Sequence, residues 1–425
     1  MKRESRTPDR FVQVDSPAPR HLPLVDLLVD TRAELLELAV ASGLQVLTTM
    51  LEEDRTAICG PRYEHQSERG ASRAGTVPSE VVLGGRKVAL RRPRVRAGGL
   101  EVPLPTFQLM ANEDPLNRRV VEQMLVGVAT RQYARSLEPV PATMPTRGTS
   151  KSAVSRRFVA KTAAQLEAWR TTPLDDVEVV GLLVDGVHIG DHCLVVALGI
   201  AADGQKHALG LWEGSTENAT VCQHLLANLQ PRGLRTDRSL LVILDGSPAL
   251  RKAVRAVFDK AALIQRCQVH KMRNVLDHLP ERQRPWAQAI LRRAYQSTDG
   301  KTATRLLHDL ARRLEKEYPS AAESVREGLD ETLTVLTLNL SPRLQRSLAT
   351  TNAAESLISR TRHVKRNVKR WRGGQMMLRW VAAGLLEAVK GFRRLKGCAD
   401  MPTLIAALRA RDQQLGLSES VANVA

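Results

Sequence analysis

The hydrophobic positions near the start of the chain recur at intervals of three and four residues, which is the period of an amphipathic helix. This pattern covers residues 22–51 and predicts one long helix there. The preceding residues 1–20 are charged and rich in proline, so we expect a flexible tail. Residues 59–80 are rich in Gly, Ser and Arg and predict a loop.

A strand-like alternation follows in residues 81–96, VVLGGRKVALRRPRVR, and predicts a hairpin that turns at Gly84-Gly85. Six basic residues and no acidic one lie between Arg86 and Arg96. Such a strand suits a DNA backbone, although a merely solvated basic strand has the same composition. The DNA contacts predicted here are Arg91, Arg92, Arg94 and Arg96.

A second helical section, from about residue 117 to residue 169, is interrupted by PVPATMPTRGTS. Thr149 or Ser150 can cap the helix that follows the interruption. A short helix, a turn and a basic second helix match a helix-turn-helix, and a plain amphipathic hairpin is the alternative. The DNA contacts predicted in the second helix are Lys151, Arg156, Arg157 and Lys161.

Beyond residue 177 the pattern changes to strands. Three β-rich runs joined by Gly and Asp turns, at 177–191, 192–204 and 206–215, predict an antiparallel meander. A helix, a buried strand in LLVILDGSPAL, a second helix and a short strand in AALIQRCQVH follow. This is the order of an RNase H-like α/β domain, whose sheet mixes antiparallel and parallel strands with helices on both faces. The remainder is helical in period, with a mixed signal only in residues 333–340.

The charge balance indicates a polyanionic partner. The 425 residues include 63 Lys and Arg against 45 Asp and Glu, a net charge of +18. A protein this basic usually binds nucleic acid, but the 3% aromatic content argues against a protein that stacks each base of a single strand. With 43% hydrophobic residues, the chain can bury a core of its own.

The sequence disfavours membrane and secreted locations. The longest apolar run, residues 194–202, is far shorter than the ~18 residues that span a bilayer. The first twenty residues lack the apolar segment of a secretion signal, and five scattered cysteines form no disulfide framework. We therefore expect a cytoplasmic protein with reduced cysteines.

Two similar phrases place an aspartate after a buried strand: LLVDG at Asp185 and VILDG at Asp245. If the two strands are neighbours, as the strand order predicts, both carboxylates reach one edge of the sheet. Buried carboxylates are costly unless they are paired, and oxygen ligands suit Mg²⁺ or Mn²⁺. The alternative is that each aspartate only begins an Asp-Gly turn. The two aspartates together, within this strand order, favour a metal site.

Glu355 is the best candidate for the third carboxylate that a two-metal site needs. It lies in TTNAAESLISRTRHVKR, where Thr351 or Asn352 can cap a helix. Arg362 falls on the same helical face and can reach a phosphate while Glu355 holds metal. The rivals, in a helix of mixed charge that looks solvated, are Glu323, Glu327 and Glu331.

Two further features lie near these acidic residues. Seven basic residues and no acid occur from Arg360 to Arg372, and this run predicts phosphate contacts. Cys267 and His270 form half of a zinc site, which Cys193 with His188 or His192 could complete, but no second pair lies at ordinary zinc-finger spacing and a structural role is favoured. The predicted phosphate contacts are Arg360, Lys365, Arg366, Lys369 and Arg370.

The ordered set of motifs resembles the DDE transposases of bacterial insertion sequences, in the Mutator-like group. The resemblance rests on LLVDG, ILDGSPALRKAV, RCQVHKMRN and TTNAAESLISRTR, with LGLWEGSTEN between the first two, and extends to about residue 410. It implies metal binding and catalysis by three acidic residues, with a Cys-His pair and a basic residue near the site. In this chain these are Asp185, Asp245 and Glu355, and Cys267, His270 and Arg362.

The resemblance also implies a reaction and its partners. Two Mg²⁺ or Mn²⁺ ions about 4 Å apart would support cleavage at the transposon end and attack of the freed 3′-OH on a second phosphodiester. The DNA partners would be terminal inverted repeats and target DNA, held by a homodimer at the bacterial nucleoid. Movement would be copy-out, paste-in through a circular intermediate.

The expected fold class is α/β: an RNase H-like catalytic core, an all-α insertion domain and mostly helical N-terminal DNA-binding modules. A DNA-binding regulator that has lost cleavage is the main alternative, but all three carboxylates are present. A structure-selective nuclease would not need the DNA-binding apparatus of residues 20–170. The expected parts are a tail (1–20), a helical region with the basic hairpin for DNA or dimer contacts (21–110), a helix-turn-helix-like domain (111–172), the core (173–272 and 346–425) and the helical insertion (273–345).

Overall fold

The computed structural model describes residues 24–64, 70–83, 86–112, 118–137, 146–147, 150–189, 192–214, 219–365, 368 and 370–417. The expected tail (1–20) and the turn at Gly84-Gly85 lie outside these residues. Contacts divide the chain into two compact units. The first comprises Met1–Arg118 and Ala134–Thr149, and the second comprises Arg119–Tyr133 and Ser150–Ala425.

The first unit packs one long helix against a small antiparallel sheet. The helix predicted over 22–51 is present and continues to Cys59, and the predicted hairpin is present as an antiparallel pair. Its first strand begins at Ser72, inside the predicted loop, where Arg73 binds Glu52 of the helix and so fixes the chain. The elements are α1 (Leu24–Cys59), β1 (Ser72–Leu83), β2 (Arg86–Ala97), β3 (Leu100–Val102), α2 (Pro105–Asn112) and β4 (Thr146–Arg147).

The helix-turn-helix expected within 111–172 stays a prediction, since part of the segment between its helices lies outside the described residues. Helix α3 (Arg118–Leu125) and helix α4 (Lys151–Thr171) are separated by a 3₁₀ turn and by β4, which pairs with β2. A helix-turn-helix needs a turn of only about 3–4 residues between its helices. Ser150 does cap α4, as expected, since its hydroxyl accepts a hydrogen bond from the Ala153 N–H at 3.2 Å.

The apolar face of α4 packs within the second unit. The Phe158 ring lies 4.4 Å from that of Trp380, measured between centroids. The indole N–H of Trp169 donates to the Ala208 carbonyl at 2.8 Å. The helix is therefore anchored along its length to the body that contains the larger sheet.

The larger sheet has five strands in the described residues, in the order β7-β6-β5-β8-β9. The β5–β6 and β6–β7 pairs are antiparallel, and the β5–β8 and β8–β9 pairs are parallel. This confirms the predicted meander and the predicted mixed α/β sheet. The strands are β5 (Val179–Ile189), β6 (His192–Ala201), β7 (Lys206–Gly214), β8 (Leu240–Leu244) and β9 (Ala262–Arg266).

Hydrophobic clusters cover both faces of this sheet, as predicted. Leu182 and Val184 face a cluster formed with α5 (Ala219–Leu229) and α6 (Pro248–Phe258). Leu183 faces the opposite way, into a second cluster built mainly from the helices that follow β9. Because every residue of β8 is buried, the strand is a continuous apolar run, as expected of a strand covered on both faces.

The region after β9 is helical. The segment 333–340, whose pattern was mixed, lies mostly in a helix whose residues Leu333, Val335 and Leu336 are all buried, so no one-sided period appears. No helix among the described residues is both long and apolar enough to cross a bilayer. The helices are α7 (Gln268–Asp277), α8 (Arg284–Tyr295), α9 (Gly300–Leu314), α10 (Pro319–Arg326), α11 (Leu329–Thr337), α12 (Pro342–Leu348), α13 (Asn352–Lys365), α14 (Gly374–Lys390) and α15 (Met401–Leu415).

Candidate active site

The pairing of β5 with β8 brings Asp185 and Asp245 to the same place on the sheet. Val184 pairs with Leu244 in the parallel register, and the aspartates are the next residues on the two strands. The predicted convergence of the two aspartates is therefore confirmed. Their roles as ligands stay a prediction.

The two aspartates differ in local structure, and the Asp-Gly turn interpretation holds for only one of them. Asp185 lies inside β5, is only 4% exposed and pairs with Val196, so no turn begins there. The expectation that Asp185 ends its strand is wrong, because β5 continues to Ile189 alongside β6. Asp245 does begin a turn: its Oδ1 accepts a hydrogen bond from the Ser247 N–H at 2.8 Å.

A buried arginine holds the turn after Asp245. Gly246 has φ of +105°, a conformation that strains any other residue. A Cβ at this position would lie 2.8 Å from the Arg266 guanidinium. The guanidinium donates to the Gly246 carbonyl at 3.1 Å and also to the Glu327 carbonyl at 3.1 Å. The backbone next to Asp245 is therefore fixed by a side chain from the end of β9.

Glu355 lies in the first turn of α13, which packs against β5. Its N–H donates to the Thr351 carbonyl at 3.0 Å, so the helix begins at the predicted Thr351/Asn352 boundary. The N-terminal turn of a helix favours a negative charge. The carboxylate is about 40% exposed, which makes it far more accessible than Asp185.

Cys267, His270 and Thr351 connect Glu355 to the strand that carries Asp245. The Cys267 N–H donates to the Leu244 carbonyl at 2.6 Å, and the Cys267 sulfur accepts from the Thr351 N–H at 3.4 Å. The Thr351 hydroxyl donates to Glu355 Oε1 at 3.3 Å and lies 3.5 Å from His270 Nδ1. His270 Nε2 lies 3.4 Å from the same Glu355 oxygen. These contacts place the Cys-His pair beside the third acid, and no described partner supports a zinc role.

Cys267 and His270 shift each other's pKa values. The hydrogen bond to Cys267 raises the pKa of His270 to about 9 against the opposing effect of burial, and the charges of Asp185 and Glu355 act in the same direction. Burial opposes ionisation of the Cys267 thiol, but hydrogen bonds with His270 and Thr351 outweigh it and lower the Cys267 pKa. The raised pKa favours the protonated form of His270 beside Glu355.

The donor set fits a hard cation in its chemistry, since all three acidic residues offer carboxylate oxygens. In the described residues, however, no three side chains of His, Cys, Asp or Glu are already gathered as ligands of one ion. The zinc alternative is not supported either, because His192, one of its possible ligands, contacts Glu213 instead. Its Nδ1 lies 2.6 Å from Glu213 Oε1.

Of the rival glutamates, Glu331 is less solvated than expected, whereas Glu323 and Glu327 are exposed. Glu331 binds Arg251 at 2.8 Å, and its side chain is 14% exposed. Glu327 contacts the buried Lys271, whose Nζ donates to the Glu327 carbonyl at 2.5 Å. Burial, together with nearby Arg266, lowers the pKa of Lys271 to about 8. Glu327 and Glu331 therefore pair with basic side chains, whereas Glu355 is the glutamate that shares the neighbour His270 with Asp185.

Comparison with known proteins decides the family. A sequence model of the transposases of the Mutator family matches residues 30–394. The chain belongs to this family.

Individual relatives agree with the family assignment. The transposase of insertion sequence element IS406 from Burkholderia multivorans is 28% identical over 369 residues, which are 84% of this chain and 92% of the relative. The transposase of IS6120 from Mycolicibacterium smegmatis is 29% identical over 292 residues, 67% of this chain and 87% of the relative. The transposase of IS256 in transposon Tn4001 from Staphylococcus aureus is 25% identical over 303 residues, 67% of this chain and 74% of the relative.

The basic hairpin of this Mutator-family chain is less available for DNA than its sequence indicates. Arg92 and Arg94 both bind Glu101, at 2.7 and 2.9 Å, and Arg92 also stacks over the Phe107 ring. Glu101 lies on β3, just outside the acid-free run, and β3 pairs with β2. Two of the four predicted DNA contacts are thus partly neutralised, while Arg91 and Arg96 are exposed.

The other predicted DNA contacts divide by exposure. On α4, Lys151 and Arg156 are exposed, whereas Arg157 and Lys161 are half-buried. Arg370 is exposed. The side chains outside the described part of the structure are those of Arg360, Arg362, Lys365, Arg366 and Lys369.

Sequence reasoning missed two contributors to the site of this transposase-family chain. Thr351 was recognised only as a helix cap, yet its hydroxyl contacts the candidate catalytic glutamate. Arg266 is the first residue of the RCQVHKMRN motif, but the motif does not indicate its contact with the Gly246 carbonyl. Its role becomes visible only when Gly246 is seen to need a positive φ.

Proposed function

We propose that this chain is a DNA transposase whose acidic site consists of Asp185, Asp245 and Glu355. The observation that carries the proposal is the β5–β8 register, which aligns the two aspartates, together with α13 packing on β5 to bring Glu355 near. Membership of the Mutator family and the relatives' names, all transposases of insertion sequence elements, support it. The reaction would be cleavage at the element's ends followed by 3′-OH strand transfer.

In this proposal the five-stranded sheet is the RNase H-like core of the enzyme. The order β7-β6-β5-β8-β9 supports that assignment, because three antiparallel strands are followed by two parallel ones. Helices α7 to α12 lie between the second and the third acid, and they would be the helical insertion domain. The insertion separates Glu355 from Asp245 along the chain, while α13 returns to β5 in space.

Asp185, Asp245 and Glu355 would hold Mg²⁺ or Mn²⁺, two ions in the active form. When bound, such ions supply an activated water and stabilise the oxygen that leaves. Binding has to draw the carboxylates together, since the described residues do not already form a three-ligand group. Glu355 is the acid able to move, because it is partly exposed and held only by side-chain contacts.

We assign His270, Thr351 and Cys267 the task of positioning Glu355. Contacts of 3.3 to 3.5 Å are weak individually, but hydrogen bonds of catalytic groups are commonly long before the substrate binds. The cation on His270 offsets part of the repulsion between Asp185 and Glu355. Cys267 links this arrangement to the end of β8, next to Asp245.

The DNA partners would be the terminal inverted repeats and the target, bound by a homodimer. The net charge of +18 supports a polyanionic partner, and the exposed arginines Arg91 and Arg96 are suited to phosphates. A copy-out, paste-in route through a circular intermediate belongs to the same proposal.

Strand cleavage and joining on a labelled duplex that carries the element's own end tests this function. Wild type in Mg²⁺ should nick and join, and EDTA or Asp245→Asn should abolish both reactions while leaving binding of the duplex nearly intact. Asp259→Asn, at the far end of α6, is the matched control and should retain activity. Specific binding without cleavage in any metal would instead favour a regulator, and the proposed chemistry would be wrong.

A further inference from the structure

A cavity of about 810 Å³ lies in the second unit, beside the N-terminal half of α14. Its walls come from α4, from the segment that precedes α14 and from the turn that follows α3. Asp185, Asp245 and Glu355 do not line it. The cavity is therefore distinct from the acidic site, although α14 packs on α13, the helix that carries Glu355.

Three aromatic rings line the cavity: the Phe158–Trp380 pair, which we call its floor, and Trp371. Phe158 and Trp380, with ring centroids 4.4 Å apart, are only 3% and 6% exposed. Trp371 also lines the cavity and is half-buried. The chain is poor in aromatic residues, with 3% overall, so three rings around one cavity are a concentration of the surfaces on which flat rings stack.

The charge around the cavity is positive. Arg370, Arg372 and Arg379 line it, and no acidic residue does so in the described part of the chain. The Nε of Arg379 is buried and has no hydrogen-bond partner. A buried donor without an acceptor is uncommon in folded proteins, and a ligand oxygen or ring nitrogen would satisfy it.

Flat aromatic surfaces combined with arginines match a nucleotide, which joins a flat base to an anionic phosphate. Inside a duplex both faces of a base are covered by its neighbours, so only a base that has left the stack can enter such a cavity. We propose that the cavity receives one extrahelical nucleobase of the bound DNA, between Trp371 and the Phe158–Trp380 floor, with the arginines on its phosphates. The proposal rests on the proposed function in that it takes DNA to be the partner.

Photo-crosslinking tests the occupant directly. In the full chain bound to a duplex that carries the element's end, 5-iodouracil replaces thymine at one position at a time around the cleavage junction. Irradiation should crosslink one position to a peptide that contains Trp371, Trp380 or Phe158. Trp371→Ala should abolish a crosslink to Trp371 and reduce crosslinks to the floor, and Trp371→Phe should retain them to the floor.

A binding measurement provides a second readout. A mismatch at the crosslinking position should tighten binding of wild type about tenfold, because the base then leaves the stack at lower cost. Trp371→Ala should lose this preference, while Trp371→Phe should keep most of it. Trp286→Ala is the control, because that ring stacks under Arg313 on a different pair of helices and should leave the preference unchanged.

Crosslinks confined to residues outside the cavity, or an unchanged mismatch preference in Trp371→Ala, would overturn the proposal. If either result is obtained while the wild type still cleaves the duplex, the proposed function stands and only the cavity assignment fails. If Trp371→Ala converts a dimer to monomers without changing any crosslink, the cavity holds a second copy of the chain and the proposal is also wrong. Failure of the wild type to bind or cleave the end would count against the proposed function itself.

Discussion

The strand-borne aspartates and the helix-borne glutamate reach the candidate site by different physical means. Asp185 and Asp245 are placed by main-chain pairing of β5 with β8, inside a sheet that is buried on both faces. Glu355 is brought near by α13 packing on β5, and its carboxylate is oriented by the side chains of Thr351 and His270, at 3.3 and 3.4 Å. The sheet itself therefore holds the two aspartates, whereas the orientation of the Glu355 carboxylate depends on contacts that a single substitution can remove.

The largest effect is expected at Asp185, which would bind metal directly in the cleavage reaction. Asp185→Asn keeps the size of the side chain but removes its charge, so strand cleavage should fall by roughly 10²- to 10³-fold or more. Binding of the duplex should be nearly unchanged. Cleavage rates and filter-binding affinities measure the two quantities on the same DNA. Loss of binding together with cleavage would show that Asp185 is structural.

An intermediate effect is expected at Thr351, which acts only through Glu355. Thr351→Val keeps the shape of a fully buried side chain but removes the hydroxyl, and cleavage should fall about tenfold to a hundredfold. Thr351→Ser retains the hydroxyl and should restore most of the rate. Rate constants with thermal melting as a folding check measure this. Equal losses in both variants would mean that Thr351 serves packing rather than positioning.

A smaller effect is expected at the backbone that fixes Asp245. Gly246→Ala forces a side chain into φ of +105° and toward Arg266, which should reduce the free energy of unfolding by about 1–3 kcal/mol. Urea denaturation measures the change. Gly75→Ala is the control: φ there is +76°, but a Cβ would meet no atom within 4 Å, so only the backbone strain remains. Equal losses of unfolding free energy at both sites would show that contact with Arg266 adds nothing to the cost of Gly246→Ala.

The smallest effect concerns the buried Lys271 near the Cys-His pair. Its folded-state pKa, about 8, lies below the ordinary 10.5, so the native state releases this proton before the unfolded state does. Stability relative to Lys271→Met should therefore rise as the pH increases from about 8 to 10.5. Chemical denaturation of both proteins across this range measures the difference. A difference that is flat, or falls, would show that Lys271 keeps its ordinary pKa.

The strands could be predicted from sequence because continuous apolar runs between Gly and Asp turns have few alternatives. The expectation that a strand ends at Asp185 is wrong, because Asp-Gly also fits inside β5 when β6 pairs alongside it. The early start of β1 was missed, since it depends on the contact between Arg73 and Glu52. The helix-turn-helix stays a prediction, and the apolar face of α4 gives no sign in the sequence of which body it packs against.

The candidate acids were predictable and their positioning groups were not. Asp185, Asp245 and Glu355 stand in recognisable motifs, and register alone brings the first two together. The contact between Thr351 and Cys267 joins residues 84 positions apart, and no local pattern encodes it. Glu101 likewise neutralises two arginines from a neighbouring strand, which a count of charges along one segment does not reveal.

The proposed site requires Glu355 to bind metal together with the two strand-borne aspartates. Binding of Mn²⁺ to the full chain, followed by electron paramagnetic resonance, tests it most directly, with wild type beside Glu355→Gln and the rival Glu323→Gln as control. We expect Glu355→Gln to weaken binding at least about tenfold, as loss of a ligand should. Glu323→Gln should bind like wild type. Equal binding by all three proteins would contradict the claim.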